Sequence, residues 1–373
     1  LAMQAGMNVA MDEIMAQGGL EGKPIRLVAY DTAGQAERAA ILAEQLITRD
    51  CAVGIVAGVG DASAAAVSAM TERYGTPLLL IDASADALTA SYPHTVFRLL
   101  PAATMVARMP AEWLSAVGDY NGDGDITAVV IAENTPSGNQ AIEQAEQWFP
   151  ALGMRLETLR VDLPVNDFSP QIARIVAMKM VPDAIFILIN TESALDLQRQ
   201  IMDAGIKAEK GTLLVTGRAA LDGSQFWQRV PEGQWTVVAR RGPWASSLHE
   251  IGRSFLERYR QFSVAWPDNA TFGAYDGIRL LEDAISRAAS LRGDDMVRAL
   301  EETDIDLAAG HYRFPYGSTK PPAGHDAPDY LWHQWGDPPL LFLQFLTPNQ
   351  DPATADIVWP ALYSTTDGPV KRP

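Results

Sequence analysis

Four oxygen-bearing side chains stand at alternate positions in Asp119-Tyr120-Asn121-Gly122-Asp123-Gly124-Asp125-Ile126. This D-x-N-x-D-G-x-I spacing matches the opening of an EF-hand loop. There, alternate side chains and a carbonyl turn toward one hard cation, and a glycine makes the sharp bend. Position twelve, where a bidentate Glu would complete the shell, is Val130. Two readings follow. Asp119, Asn121, Asp123 and Asp125 hold a structural calcium ion with help from a more distant acid, or the segment is an acidic, glycine-rich turn that needs no metal. No cofactor is required otherwise.

Short turns offer a second chemistry. Gly58-Val59-Gly60-Asp61-Ala62-Ser63 is a glycine-rich turn into a helix start, which presents free backbone N–H groups that Asp61 or Ser63 can cap. Asp61 can equally face a ligand, where its charge would oppose a carboxylate and favour a hydroxyl, an amide or an ammonium. Thr216-Gly217-Arg218-Ala219 presents a guanidinium, a planar fork suited to a carboxylate. Arg240, Arg241 and Trp244 form either an anion-attracting, stacking wall or a solvated segment. Catalysis finds little support. His94, His249, His311, His325 and His333 fall at no paired metal-ligand spacing, and neither a G-x-S-x-G elbow nor a P-loop occurs.

These turns need a scaffold. Strand-like runs alternate with helix-like runs, which predicts parallel sheets with helical crossovers. Strands are expected at 25–30, 53–57 and 77–81, then, after a pause at 96–101, at 126–132, 156–161, 184–189, 212–216 and 235–239. Helices fall between them, beginning with 1–18 and including 36–48, 63–74 and 104–117. Two long helical stretches, 248–261 and 270–291, precede a Pro- and Gly-rich segment at 310–329 and a last strand pair near 330–335 and 340–346. A strand followed by a small-residue turn and a helix start builds a ligand-ready crevice at the strand ends. The count suits two similar α/β lobes with interleaved segments facing each other across a cleft. The expected lobes are 1–101 with 241–320 and 102–240 with 321–373, with hinge crossings near 98–103, 236–242 and 310–329.

Composition narrows the function. The 373 residues are more than twice the ~150 of a typical domain. Lys and Arg number 29 against 46 Asp and Glu, a net charge of −17, which repels nucleic acid and anionic lipid surfaces. The lone Cys51 excludes an intrachain disulfide and a multi-cysteine metal cluster, but not an oxidising compartment. Apolar runs such as 340–346 are far short of the ~20 residues that span a bilayer, so membrane insertion is not expected. Residues 1–18 carry Asp12 and Glu13 and read as a helix rather than a signal peptide. A chain that opens inside a helix raises the expectation of a segment ahead of Leu1.

Tyr30-Asp31-Thr32, Ala39-Ala40, Leu46-Ile47-Thr48-Arg49-Asp50, Ile55-Val56-Ala57-Gly58 and Gly75-Thr76-Pro77-Leu78 follow one another in a telling order. Asp183-Ala184-Ile185-Phe186, Tyr275-Asp276-Gly277 and Val358-Trp359-Pro360 with Tyr363 continue it. Together they resemble the type I periplasmic substrate-binding proteins of the branched-chain amino acid (leucine/isoleucine/valine-binding) ABC-transporter class, over nearly the whole chain. Each motif alone is loose; order and spacing carry the likeness. The resemblance implies a type I periplasmic-binding-protein fold, with two Rossmann-like lobes around a central cleft. It further implies a periplasmic or extracellular monomer that captures a small polar ligand, an amino acid or related carboxylate, and delivers it to an ABC-transporter permease. A ligand-sensing receptor for a signalling partner is the alternative, and an enzyme on the same scaffold is less favoured.

The resemblance also implies a site. Asp61, with Ser63 beside it, stands where the family carries a serine that holds the ligand carboxylate. Asp82-Ala83-Ser84-Ala85 matches a second carboxylate-binding turn, acting through backbone N–H groups at Ala83 and Ser84 and through the Ser84 hydroxyl. Ser137 takes the place of a stacking tyrosine and Asn190 that of another aromatic, so the pocket reads as polar. Arg218 lies where an acid often meets the ligand's amino group. The charges thus look exchanged relative to amino-acid binders. Either the ligand lies reversed or is a non-amino carboxylate, or Asp61 and Arg218 pair across the closing cleft. The family also opens with a strand, central to the first lobe, ahead of the helix that here begins at Leu1.

Overall fold

Leu78-Leu79-Leu80 is fully buried, and a strand without a polar face forms only where both faces are covered. The computed structural model describes residues 2–20, 22–57, 60–178, 180–221 and 225–373. Among them the chain first builds β1 (Ile55–Ala57), β2 (Leu78–Leu80) and β3 (Val96–Arg98). It continues through β4 (Thr127–Glu133), β5 (Arg155–Val161), β6 (Ala184–Leu188), β7 (Leu213–Thr216) and β8 (Val237–Arg241). It returns for a hairpin, β9 (Asp304–Leu307) and β10 (Gly310–Arg313), and closes with β11 (Leu340–Gln344) and β12 (Asp356–Trp359). Two compact units result: Leu1–Thr104 with Leu248–Pro339, and Met105–Ser247 with Leu340–Pro373.

Each unit draws on two segments of the chain, and two of the boundaries differ from those read in the sequence. Residues 321–339, assigned from sequence to the second lobe, belong to the first unit. There Arg98 N donates to His333 O (2.9 Å), Trp335 N donates to Arg98 O (3.0 Å), and His333 Nε2 lies 2.8 Å from Glu301 Oε1. Residues 241–247 belong to the second unit, where the indole of buried Trp244 donates to Pro352 O at 2.8 Å. These bonds join residues far apart in sequence and leave no local signature in a Pro- and Gly-rich stretch.

In the first unit β1, β2 and β3 form a parallel sheet in that order. The pause at 96–101 therefore holds a strand, one that Arg98 disguises. Residues 330–335 do not pair as a strand; Gln334 makes a single bridge to Arg98. The expected strand at 25–30 is extended but joins no ladder, and the outer edge of β1 has no partner strand among the described residues. Between them lies a cavity of about 430 Å³ lined by Ile25, Leu27, Ala29, Ile55, Ala57, Leu281 and others. Helix Ala2–Ala16 crosses helix Asn269–Arg287 so closely that a Cβ on Gly6 would sit 2.5 Å from Thr271 O.

The Tyr275-Asp276-Gly277 motif explains itself in this core. Tyr275 Oη donates to Glu13 (2.6 Å), and Gly277 lets Val56 approach to 3.0 Å of a Cβ position. Fully buried Asp276 accepts from Ala308 N, Ala309 N and Tyr312 Oη, pinning the β9–β10 turn.

The second unit carries a seven-stranded sheet, β12-β11-β8-β7-β6-β4-β5, parallel except where β11 runs antiparallel to β8 and β12. Fully buried Trp113 stacks on Phe342 of β11 at 4.4 Å and meets Phe186 of β6 edge-on, so the late strands share one core with the early ones.

Candidate functional site

In the first unit two strand-end turns are tied together. Gly58 and Val59 lie outside the described residues. Gly60 has φ +79° and is the N-cap of helix Asp61–Tyr74, with no side chain capping that helix. The capping role considered for Asp61 and Ser63 is therefore not used. Asp61 instead reaches across: its Oδ1 accepts the Ala85 N–H at 2.9 Å, while Gly60 N donates to Asp82 O at 3.1 Å. Asp61 is exposed; Ser63 and Ala83 are buried, so neither side chain reaches solvent. Ser84 is half-buried, and its carbonyl accepts the Ala103 N–H at 2.8 Å.

Arg98 supports these turns and was missed from sequence. It is fully buried at the C-terminal end of β3. Its Nη2 donates to Ala85 O at 2.7 Å and its Nη1 to Gln334 Oε1 at 3.2 Å, while Nε finds no partner. Burial pulls its guanidinium down to about 10 against the charges of Asp86 and Asp61, so it stays a cation at neutral pH. The available signal was a charged residue inside the apolar run Val96-Phe97-Arg98-Leu99-Leu100. Asp82 is pushed up by partial burial, then by Asp268 and Asp61. The surface of these turns is acidic, with the cation beneath.

In the second unit Asn190 and Arg218 come together. They line a recess of about 280 Å³ with Thr191, Glu192, Leu195, Ala219 and Gln225. Arg218 opens a short 3-10 turn after Gly217 and is exposed. Glu192 is committed to Arg229, with Oε2 at 3.0 Å from Nη1. Residues 222–224 lie outside the described residues. Ser137 does not line this recess. It sits in the first turn of helix Pro136–Ala151, with its Oγ 3.2 Å from Thr135 Oγ1. Thr135 is the N-cap and accepts the Gly138 N–H. A Cβ on Gly138 would lie 1.9 Å from Glu133 O, so this turn demands glycine. Glu133 then links the neighbouring turns, its Oε1 accepting the Asn190 N–H at 2.6 Å. Arg240 stacks on Trp244 at 4.9 Å, but Trp244 is buried and offers no open wall.

At 119–125 the side-chain oxygens face the amides of their own turn. Asp119 Oδ1 accepts the Gly122 and Asp123 N–H groups, and its Oδ2 accepts that of Gly124. Asn121 Oδ1 accepts from Asp123 N, Asp123 Oδ1 from Asp125 N, and Asp125 pairs with Arg155. Among the described residues no group of three or more His, Cys, Asp or Glu could hold a metal ion. Alternate Asx residues that could wrap a cation can equally bond the amides two to five residues on, and here they do. Buried Asp183 anchors the turn, accepting from Tyr120 N, Asn121 N and Thr127 N.

Two interleaved α/β units, each with polar side chains gathered at strand-end turns before helix starts, have the architecture of a ligand-binding scaffold. The sequence pattern of the family described as "Periplasmic binding protein" matches residues 1–324. The chain belongs to that family. As a member of it, the chain is an extracytoplasmic binding protein. Among similar proteins is the Leu/Ile/Val-binding protein homolog 7 of Brucella abortus (strain 2308). It is 24% identical over 323 residues, which is 84% of this chain and 78% of that one. Among solved structures, the branched-chain amino acid substrate-binding protein LivJ of Streptococcus pneumoniae, in complex with isoleucine, superposes with TM-score 0.62. It has 18% identity and covers 96% of this chain and 94% of its own. A solute-binding protein of R. palustris in complex with benzoate gives TM-score 0.59, 17% identity and coverage of 92% and 88%.

Proposed function

We propose that the ligand is a small carboxylate, either an amino acid or a related carboxylic acid, and that Arg218 grips its carboxylate with Asn190 beside it. The observation that carries this is the recess in the second unit. It gathers a guanidinium, an amide and hydroxyl-bearing Thr191 around a space of about 280 Å³, the volume of a small metabolite. Isoleucine and benzoate, found in two proteins of the same fold, share only a carboxylate and an apolar body, which supports the class without choosing a member. Asn190 stands where an aromatic residue would stack, which leaves the recess more polar than an aliphatic side chain needs.

A thermal-shift screen over amino, keto, hydroxy and aromatic acids tests the class, because a bound ligand raises the melting temperature by mass action. With the acid that shifts it most, Arg218→Ala removes a charge-assisted hydrogen bond. Such bonds contribute ~1.5–3 kcal/mol, so affinity should fall about ten- to hundredfold. Arg218→Lys should recover only part, since an ammonium cannot reproduce the planar fork. Wild-type affinity in Arg218→Ala would refute this assignment. Conversion of the ligand, above a heat-killed control, would refute pure binding.

A further inference from the structure

We propose that His333 is a buried, doubly protonated cation and the catch of a pH-operated latch. It fastens the strap 329–335 to the outer edge of β3, and loss of its proton releases that strap while the rest of the first unit stays folded.

The ring has no exposed surface, and each of its nitrogens faces an acceptor. Nδ1 lies 3.1 Å from Val96 O, and Nε2 lies 2.8 Å from Glu301 Oε1. A carbonyl oxygen can only accept. Glu301 is committed to accepting as well: its Oε1 takes the Ser318 N–H at 2.6 Å and its Oε2 the Ser318 hydroxyl at 2.6 Å. A neutral imidazole carries one N–H and one lone pair, so either tautomer would turn a lone pair on one of these oxygens. Only the imidazolium donates to both. Two aromatic rings add to its support, since their faces attract a cation. Phe97 stacks on the ring at 4.1 Å and Trp332 at 4.4 Å.

The backbone shows what the catch holds. His333 has φ +46°, a left-handed conformation that its surroundings must impose on a residue with a side chain. Its N–H donates to Tyr316 O at 3.0 Å, and the Trp332 indole donates to Pro93 O at 2.7 Å. The strap then covers the far edge of β3, because His333 O accepts the Arg98 N–H and Arg98 O accepts the Trp335 N–H. Among the described residues Glu301 is the charged group in contact with the ring. The others on the elements packed around it are engaged elsewhere: Arg98 with Ala85 O and Gln334, Asp329 with the Tyr92 hydroxyl, Glu72 with the amides of His94 and Thr95, His94 with Asp294, and Lys320 over the Tyr316 ring. Arg298 and Glu302, beside Glu301, are exposed. The latch is therefore closed while the ring is protonated and Glu301 ionised, and it opens as rising pH removes the ring's second proton. Histidine side chains change charge across the near-neutral range, which a protein outside the cytoplasm meets as its surroundings change.

The test follows the ring and the strap together. Long-range ¹H–¹⁵N spectra report the His333 nitrogens from pH 5 to 10, and hydrogen exchange gives protection factors at the Arg98 and Trp335 amides. The Ile81 amide, bonded to Ala57 O at 3.1 Å inside the same unit, is the reference. At pH 6 both ring nitrogens should carry protons. As the ring titrates, protection at Arg98 and Trp335 should fall about ten- to hundredfold, the effect of one lost charge-assisted hydrogen bond, with Ile81 unchanged. A bare ring nitrogen at pH 6 overturns the proposal. So does a ring that does not titrate below pH 10, and so does strap protection that stays constant, or falls together with Ile81, while the ring titrates. His333→Phe keeps the stacking and carries no proton, so its strap amides should exchange at the released level at every pH; wild-type protection in this variant also overturns the latch. Should His333→Phe fail to fold, Glu301→Gln removes the facing charge. The ring titration and the fall in protection should then move together to lower pH, and an unmoved step counts against the proposal equally.

Discussion

Asp276 is fully buried in the first unit and accepts three hydrogen bonds, from two backbone amides and the Tyr312 hydroxyl. Burial pushes its carboxyl up to about 7, against those donors and the Arg279 charge, which pull it down. Between its ordinary value of 3.8 and about 7 the native chain keeps a proton that the unfolded chain releases. Its contribution is thus present at acid pH and lost as pH rises through about 7. Glu301 behaves oppositely. Burial alone would raise it, but hydrogen bonds from His333 and Ser318, with the nearby His333 charge, bring it from 4.5 to about 2. Its contribution, on the order of 2 kcal/mol, is present above 4.5 and lost as pH falls toward about 2. Unfolding free energy measured in urea across pH should therefore lose its acid limb in Glu301→Gln. In Asp276→Asn the decline between pH 4 and 7 should flatten, with a general loss of ~1–3 kcal/mol because an amide NH₂ faces a donor. Profiles parallel to wild type in both variants would show that neither carboxyl titrates as described.

At the scale of elements, β1 pairs with β2 along one edge and leaves the other open. The extended segment 25–30 and the open edge of β1 flank the 430 Å³ cavity, and both line it with apolar side chains. Unpaired strand backbone beside apolar surface is the environment that a further parallel strand satisfies, with amides for its ladder and a core for both its faces. An extension of six Val- and Ile-rich residues with a short turn, placed ahead of Leu1, should enter this space. Burying two or three such side chains at ~1.5–3 kcal/mol each should raise the melting temperature by several degrees. It should also slow amide exchange at Ile55, Val56 and Ala57. A melting temperature and exchange pattern equal to the parent's would mean that the cavity does not take a strand.

For the molecule as a whole, the interleaving decides which pieces can fold. Residues 105–247 supply β4 to β8, but the far side of β8 pairs with β11, and Trp113 stacks on Phe342 of that strand. The tail closes the same core: Trp113 Nε1 donates to Pro369 O at 2.9 Å, and Arg372 Nη1 donates to Tyr120 O at 2.9 Å. Residues 105–247 alone should therefore lack a cooperative thermal transition and aggregate along the bare edge of β8. The same residues joined directly to 340–373 by a short linker should melt cooperatively, with the near-ultraviolet signal of a buried tryptophan. Cooperative melting of 105–247 alone would contradict the dependence on β11.

How much of this was legible in the sequence follows from the range of the interactions. Alternating apolar runs and helix starts are local, so the α/β class, the parallel order and most strands from β4 to β8 could be read from residues 126–239. The ordered motifs from Tyr30 to Tyr363 placed the chain in its family for the same reason. What local pattern could not supply were partners distant in the chain. Residues 321–329 read as part of a Pro- and Gly-rich segment and 330–335 as a strand, because the bonds of this stretch run to Arg98 and Glu301. Arg98 itself passed unnoticed because its task is to hold the Ala85 carbonyl from below. The Asp119 loop carried a calcium-like spacing, and only its packing showed the oxygens turned onto backbone amides. Asp61 was legible as a charge at a turn, whereas its bond to Ala85 was not, since a side chain's partner across two turns depends on how the strands beneath them are stacked. Sequence thus determined which elements form and which residues lie at their ends. Tertiary structure decided what those end residues touch, because hydrogen bonds and burial act through space over a few ångströms, whatever the separation along the chain.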